Sequence, residues 1–106
     1  MEFLVEFDLH VPHETPESEV TQRYGAEAAA SGELAREGHL VRLWRPAMGL
    51  GERKALGLYR ADSRAQLDAL LDALPLSGWM RRTITPLGPH PNDPAGQHAA
   101  EHAAAS

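Results

Sequence analysis

The chain has 106 residues, 42% of them hydrophobic, which is enough apolar material for one packed domain and too little length for two. A formal net charge of -5 excludes the extended basic face that phosphate backbones attract, so neither DNA nor RNA is an expected partner. Cysteine is absent, which excludes disulfides, a thiolate nucleophile and thiolate metal sites, and fits a reducing cytoplasm.

The opening MEFLVEFDLH carries acids at positions 2, 6 and 8, unlike a secretory signal, and no apolar run approaches the roughly 18 residues of a membrane span. A soluble, unprocessed, cytoplasmic protein with no membrane partner is expected. Phe3, Val5, Phe7 and Leu9 alternate with Leu4, Glu6, Asp8 and His10, the period of a strand with one face in a core. After the loop VPHET, Thr15 is placed to cap a helix that has Pro16 at its first position and Glu17 and Glu19 in its opening turn, with Gly38 to end it. Strands over 39–45 and 53–59 make a hairpin through PAMGLGE. Gly49 and Gly51 in that loop are turn residues, since no GxGxxG or GK[ST] pattern follows. A second helix starts at Asp62 or Ser63, puts Leu67, Leu70, Leu71 and Leu74 on one face, and stops at Pro75. WMRRTITPL, 79–87, supplies a fourth strand in which Pro86 marks the end or an edge position. The domain is expected over 1–93 and a flexible tail over 94–106. His98 and His102, with Glu101 between them, have helical metal spacing but no third ligand, so no metal is expected.

The order strand, helix, strand, strand, helix, strand is the βαββαβ of a ferredoxin-like α+β domain, an antiparallel four-stranded sheet with two helices on one face. Leu4, Leu40 and Trp44 are expected on the bare face, which predicts dimerisation by sheet packing.

On the first helix, Val20, Tyr24, Ser31 and Leu34 share a narrow stripe, and Glu27 stands near its middle where a leucine is expected. If the stripe packs on the sheet, burial raises the pKa of Glu27 toward that of a general base or acid. A slight roll onto Val20, Tyr24, Ala28 and Ala35 instead leaves Glu27 solvated at the rim. On the second strand His39, Val41, Leu43 and Arg45 alternate toward the helices, so Arg45 is either the ion-pair partner of Glu27 or the holder of a substrate carboxylate. Arg42 and Trp44 face the other way and either line a cavity or, as the favoured reading, cover a dimer interface. His39 is either a proton shuttle or a surface residue opening its strand.

REG (36–38), LWR (43–45), LPL (74–76) followed by Trp79 and Met80, and His90-Pro91 occur in an order and spacing similar to those of muconolactone δ-isomerases. MEFLV at the start and an acid at Glu27 extend the resemblance over residues 1 to 93. It implies a ferredoxin-like fold paired into dimeric α/β-barrel assemblies that can build larger rings. It further implies a cofactor-independent isomerisation of a small unsaturated lactone in aromatic hydrocarbon catabolism, the β-ketoadipate pathway. Glu27 then suits the base, His39 an auxiliary acid, and Arg45, Tyr24, Arg42 and Trp44 the substrate-binding set. The chain departs from the family's usual lysine, threonine and histidine at Glu6, Asp8 and Arg42, which leaves a related lactone open as the substrate. The competing readings are a non-catalytic ferredoxin-like module with Glu27 and Arg45 as a structural ion pair, and, on topology alone, a cofactor-independent monooxygenase.

Overall fold

Alternation along β1 (Glu2–Leu9) sends Phe3, Val5 and Phe7 to one side, and all three are buried. The computed structural model describes residues 1–46 and 54–95. In it β1 lies between β3 (Lys54–Arg60) and β4 (Met80–Leu87), and β2 (Leu40–Trp44) flanks β3, giving a four-stranded sheet in the order β2-β3-β1-β4. Every neighbouring pair is antiparallel. Helix α1 (Glu17–Arg36) joins β1 to β2, and α2 (Arg64–Asp72) with a 3-10 turn at Ser77–Trp79 joins β3 to β4. The ferredoxin-like expectation holds. Trp79 belongs to the turn rather than to β4, and its carbonyl accepts a hydrogen bond from His10 N–H at 2.7 Å. Pro86 sits on the edge strand β4 opposite Phe3, where a missing N–H removes no ladder bond.

The helix ends follow from local chemistry. Gly38 takes φ +83°, a conformation that favours glycine. There Gly38 N–H donates to the Ala35 carbonyl and His39 N–H to the Leu34 carbonyl, the paired bonds of a Schellman stop. At the other end of α1 the expected Thr15 cap is replaced: the Thr15 hydroxyl donates back to the Pro12 carbonyl at 2.6 Å, and Pro16 opens the helix without a side-chain cap. Ser63 caps α2 as expected, its oxygen accepting from Gln66 N–H at 3.1 Å. The Gln66 side chain in turn accepts from Asp62 N–H at 2.6 Å.

Leu67, Leu71 and Leu74 pack with Phe3, Val5, Phe7 and Tyr59 into one core. Leu34 is the one fully buried residue of α1. That helix is therefore seated on the sheet near its C-terminal end and bridges an opening before it. The expected regular alternation of β2 is broken by a bulge. Leu40 pairs with Tyr59 and Arg42 with Leu58, leaving Val41 as the extra residue, 39% exposed. Leu40 consequently packs against the core instead of lying on the bare face. That bare face carries Leu4 opposite Leu58, and Leu56 opposite Trp44. The loop with Gly49 and Gly51, residue 53 and the tail bearing His98, Glu101 and His102 lie outside the described residues. Among the described residues no helix is long and apolar enough to cross a membrane, and no three acids or histidines group as metal ligands.

Candidate active site

The opening beneath α1 is a cavity of about 290 Å³ between that helix and the sheet. It sits at the lower end of the ~300–1,000 Å³ range of small-molecule sites and suits one small ring with a short side chain. Phe7, Leu43, Leu76 and Met80 contribute apolar wall, while Tyr24, Glu27, Ser31, Arg45, Lys54 and Tyr59 contribute polar groups. The roll of α1 turns Tyr24, Glu27, Ala28 and Ser31 onto the cavity and Leu34 into the core, while Ala35 remains exposed.

Glu27 is half-buried and its Oε1 accepts the Leu76 N–H at 3.0 Å. Burial raises its pKa above the ordinary 4.5, opposed by the Leu76 N–H and by Ser31, which stabilise the charged form. None of the ion pairs among the described residues includes Glu27. The carboxylate is thus held by a backbone donor, desolvated and without a salt bridge, the combination that leaves it basic. Tyr59 shares the cavity, and burial together with the Glu27 charge pushes its phenol up to about 12.

Arg45 and Lys54 are exposed and bring positive charge to the cavity edge. Arg45 makes no ion pair with Glu27. The cavity therefore has a basic carboxylate in its wall, two cations at its mouth and apolar surface between, a layout for moving a proton on a small organic anion.

A profile of the muconolactone delta-isomerase family matches residues 1–93. The chain belongs to that family. A muconolactone delta-isomerase of Cupriavidus pinatubonensis is 32% identical over 92 residues, covering 87% of this chain and 97% of the relative. That of Acinetobacter baylyi is 30% identical over 92 residues, covering 87% and 93%. A crystal structure of muconolactone isomerase superposes with a TM-score of 0.80 at 28% identity, covering 89% of this chain and 95% of the other.

Within this muconolactone isomerase family member, the structure brings Glu27, Tyr24 and Arg45 together at one cavity. His39 stands elsewhere: its Nδ1 is 2.8 Å from the Arg60 carbonyl, and it does not line the cavity. The bulge at Val41 is the physical reason, because it breaks the alternation that aligned His39 with Leu43 and Arg45. Arg42 and Trp44 also lie off the cavity, on the bare sheet face, where the guanidinium stacks 5.1 Å from the indole centroid. Two cavity groups, Tyr59 and Lys54, escape sequence reasoning. The signal that points to them is the small pair Ala55 and Gly57 on the inward face of β3, which leaves room for the cavity at Ala55 and for the Tyr59 ring over Gly57.

Proposed function

We propose that this chain is a cofactor-independent isomerase that converts muconolactone, or a closely related unsaturated lactone of aromatic catabolism, to its enol-lactone isomer. The observation that carries the reading is Glu27, a desolvated carboxylate without a salt bridge in the wall of a ring-sized cavity, in a chain of this family. The ring proton on the carbon bearing the acetate arm is acidified through the conjugated lactone. Glu27 removes it, the electron pair spreads through the ring double bond onto the carbonyl oxygen, and the proton returns to the carbon beside that carbonyl. One C–H bond breaks and one forms, so no redox partner is consumed. Arg45, with Lys54 beside it, holds the acetate at the mouth, and Tyr24 flanks the ring.

Proton NMR of muconolactone in deuterated buffer tests the reading. The protein is expected to accelerate the double-bond shift. If muconolactone and its ring-substituted analogues are left unchanged at high enzyme concentration, the isomerase reading fails and a binding module takes its place.

The bare sheet face supports a second element of the proposal. Leu4, Leu56 and Leu58 form a half-buried apolar patch with Trp44, which is 40% exposed, on the side of the sheet away from the helices. We infer that two copies pack through this face, with Arg42 and Trp44 as interface rather than substrate contacts.

A further inference from the structure

Gly57 is the place on β3 where a side chain meets an obstacle. A Cβ built there stands 2.4 Å from Cε1 and 3.2 Å from Cδ1 of Tyr59. The Tyr59 ring therefore lies back along the strand over Gly57, toward the end of the sheet where the cavity opens. Phe7 meets it edge-on, with centroids 6.0 Å apart and planes at 69°. Tyr59 is 2% exposed, so glycine beneath and Phe7 beside hold its ring in one orientation. Its hydroxyl makes no hydrogen bond to a described residue, yet no enclosed side-chain oxygen among the described residues lacks a partner. The hydroxyl consequently opens onto the cavity that Tyr59 lines, free to bond whatever enters.

We propose that the Tyr59 hydroxyl is a catalytic hydrogen-bond donor to the lactone carbonyl oxygen as negative charge develops there. The assignment rests on the isomerase reading above. When Glu27 takes the ring proton, the electron pair reaches that oxygen; when carbon is reprotonated, the pair returns and the carbonyl re-forms. Tyr59 keeps its own proton throughout. A preorganised donor stabilises such charge most where the charge is transient. The cations are unsuited to this task, since Arg45 and Lys54 stand at the exposed mouth, where the permanent charge of the acetate belongs. A cation deeper in the cavity would also pair with Glu27 and weaken it as a base. A phenol avoids that conflict, and with its pKa pushed up to about 12 it remains a neutral donor while Glu27 is ionised.

The test compares wild type, Tyr59→Phe and Glu27→Gln on the lactone that wild type isomerises. Tyr59→Phe retains the ring and breaks no described hydrogen bond, so the fold persists. Its kcat is expected to fall roughly 10²–10³-fold, with KM changed little and the ascending limb of the pH–rate profile unmoved. Gly57→Ala displaces the ring while keeping the hydroxyl, and is expected to lose kcat as well. An undiminished kcat in Tyr59→Phe, beside an inactive Glu27→Gln, overturns the Tyr59 assignment and spares the isomerase reading. A fall in kcat together with a moved ascending limb also overturns it, because the hydroxyl then acts through Glu27. Wild type that isomerises no lactone overturns the isomerase reading and this assignment with it.

Discussion

Glutamine and alanine at position 27 separate the chemistry of the site from its packing. Glutamine keeps an oxygen for the Leu76 N–H that Glu27 accepts at 3.0 Å. A neutral acceptor is weaker than a charged one by about 1 kcal/mol. Against that loss, burial is the largest influence on Glu27, and it no longer has a charge to penalise. The two effects oppose, so Glu27→Gln is expected to stay within about 1 kcal/mol of wild type, a melting shift below about 8 °C. Alanine instead strands the Leu76 N–H in a partly buried position, which costs about 1–3 kcal/mol. Both variants lose the base, whose contribution of roughly 10²–10⁴ in rate corresponds to about 2.7–5.4 kcal/mol of barrier. NMR progress curves give kcat, and thermal melts monitored by circular dichroism give stability. The pH dependence has a defined sign. A folded pKa raised above 4.5 means that the folded state retains a proton the unfolded state has lost. Wild-type stability relative to Glu27→Gln therefore falls as pH rises from 4.5 through the folded pKa, and levels off above it. Wild-type turnover in Glu27→Gln would refute the base assignment, and equal destabilisation of both variants would refute the account of the Leu76 bond.

Arg45→Met is expected to raise KM by roughly 10–100-fold, the loss of a charged hydrogen bond to the acetate, while leaving melting nearly unchanged because Arg45 is exposed and pairs with no described acid. A lowered melting temperature with an unaltered KM would count against it. Trp44→Glu on the bare sheet face is expected to shift sedimentation velocity profiles toward smaller species; an unchanged distribution places any interface elsewhere. Leu71→Ala, at a side chain with 0% exposure, is expected to cost about 2–5 kcal/mol in urea titrations, and a loss below about 1 kcal/mol contradicts the packing of α2 described above.

The elements legible in the sequence are those whose signal is local. The leucines at 67, 70, 71 and 74 repeat at helical spacing and Ser63 caps α2; the structure ends the helix at Asp72, buries Leu67 and Leu71 on it and Leu74 just beyond it, leaves Leu70 partly buried, and forms the cap bond. β1 alternates cleanly, and its buried residues follow. Glu27 was also readable, because a carboxylate on an otherwise inward stripe is conspicuous, although only tertiary packing decides between that roll and the exposed one. What escaped depends on register across strands. A single inserted residue, Val41, reverses the side to which Leu40 points and parts His39 from Leu43 and Arg45, and no periodicity within LVRLW announces it. Tyr59 escaped for a related reason: its place beside Glu27 depends on how β3 passes beneath α1, and its tilt depends on the missing Cβ of Gly57.

Net charge and local charge answer different questions in this protein. A value of -5 opposes the extended phosphate lattice of a nucleic acid, but it does not oppose one small carboxylate, because exposed charges beyond about 8–10 Å are largely screened at physiological salt. The acids that distinguish β1 are removed from the cavity by the pleat. Phe7 lines the cavity, so its neighbours Glu6 and Asp8 point to the opposite side of the sheet. There the Asp8 carboxylate lies 3.2 Å from His10 Nε2. The cavity therefore has Arg45 and Lys54 at its exposed edge and, of the carboxylates, only Glu27 lines it among the described residues. Ala55 below and Ser31 above, both small, leave the cavity open, and α1 buries only Leu34 beyond it. Filling that space with larger side chains is expected to stabilise the fold and abolish binding together, which ties the weak seating of α1 to the presence of a site.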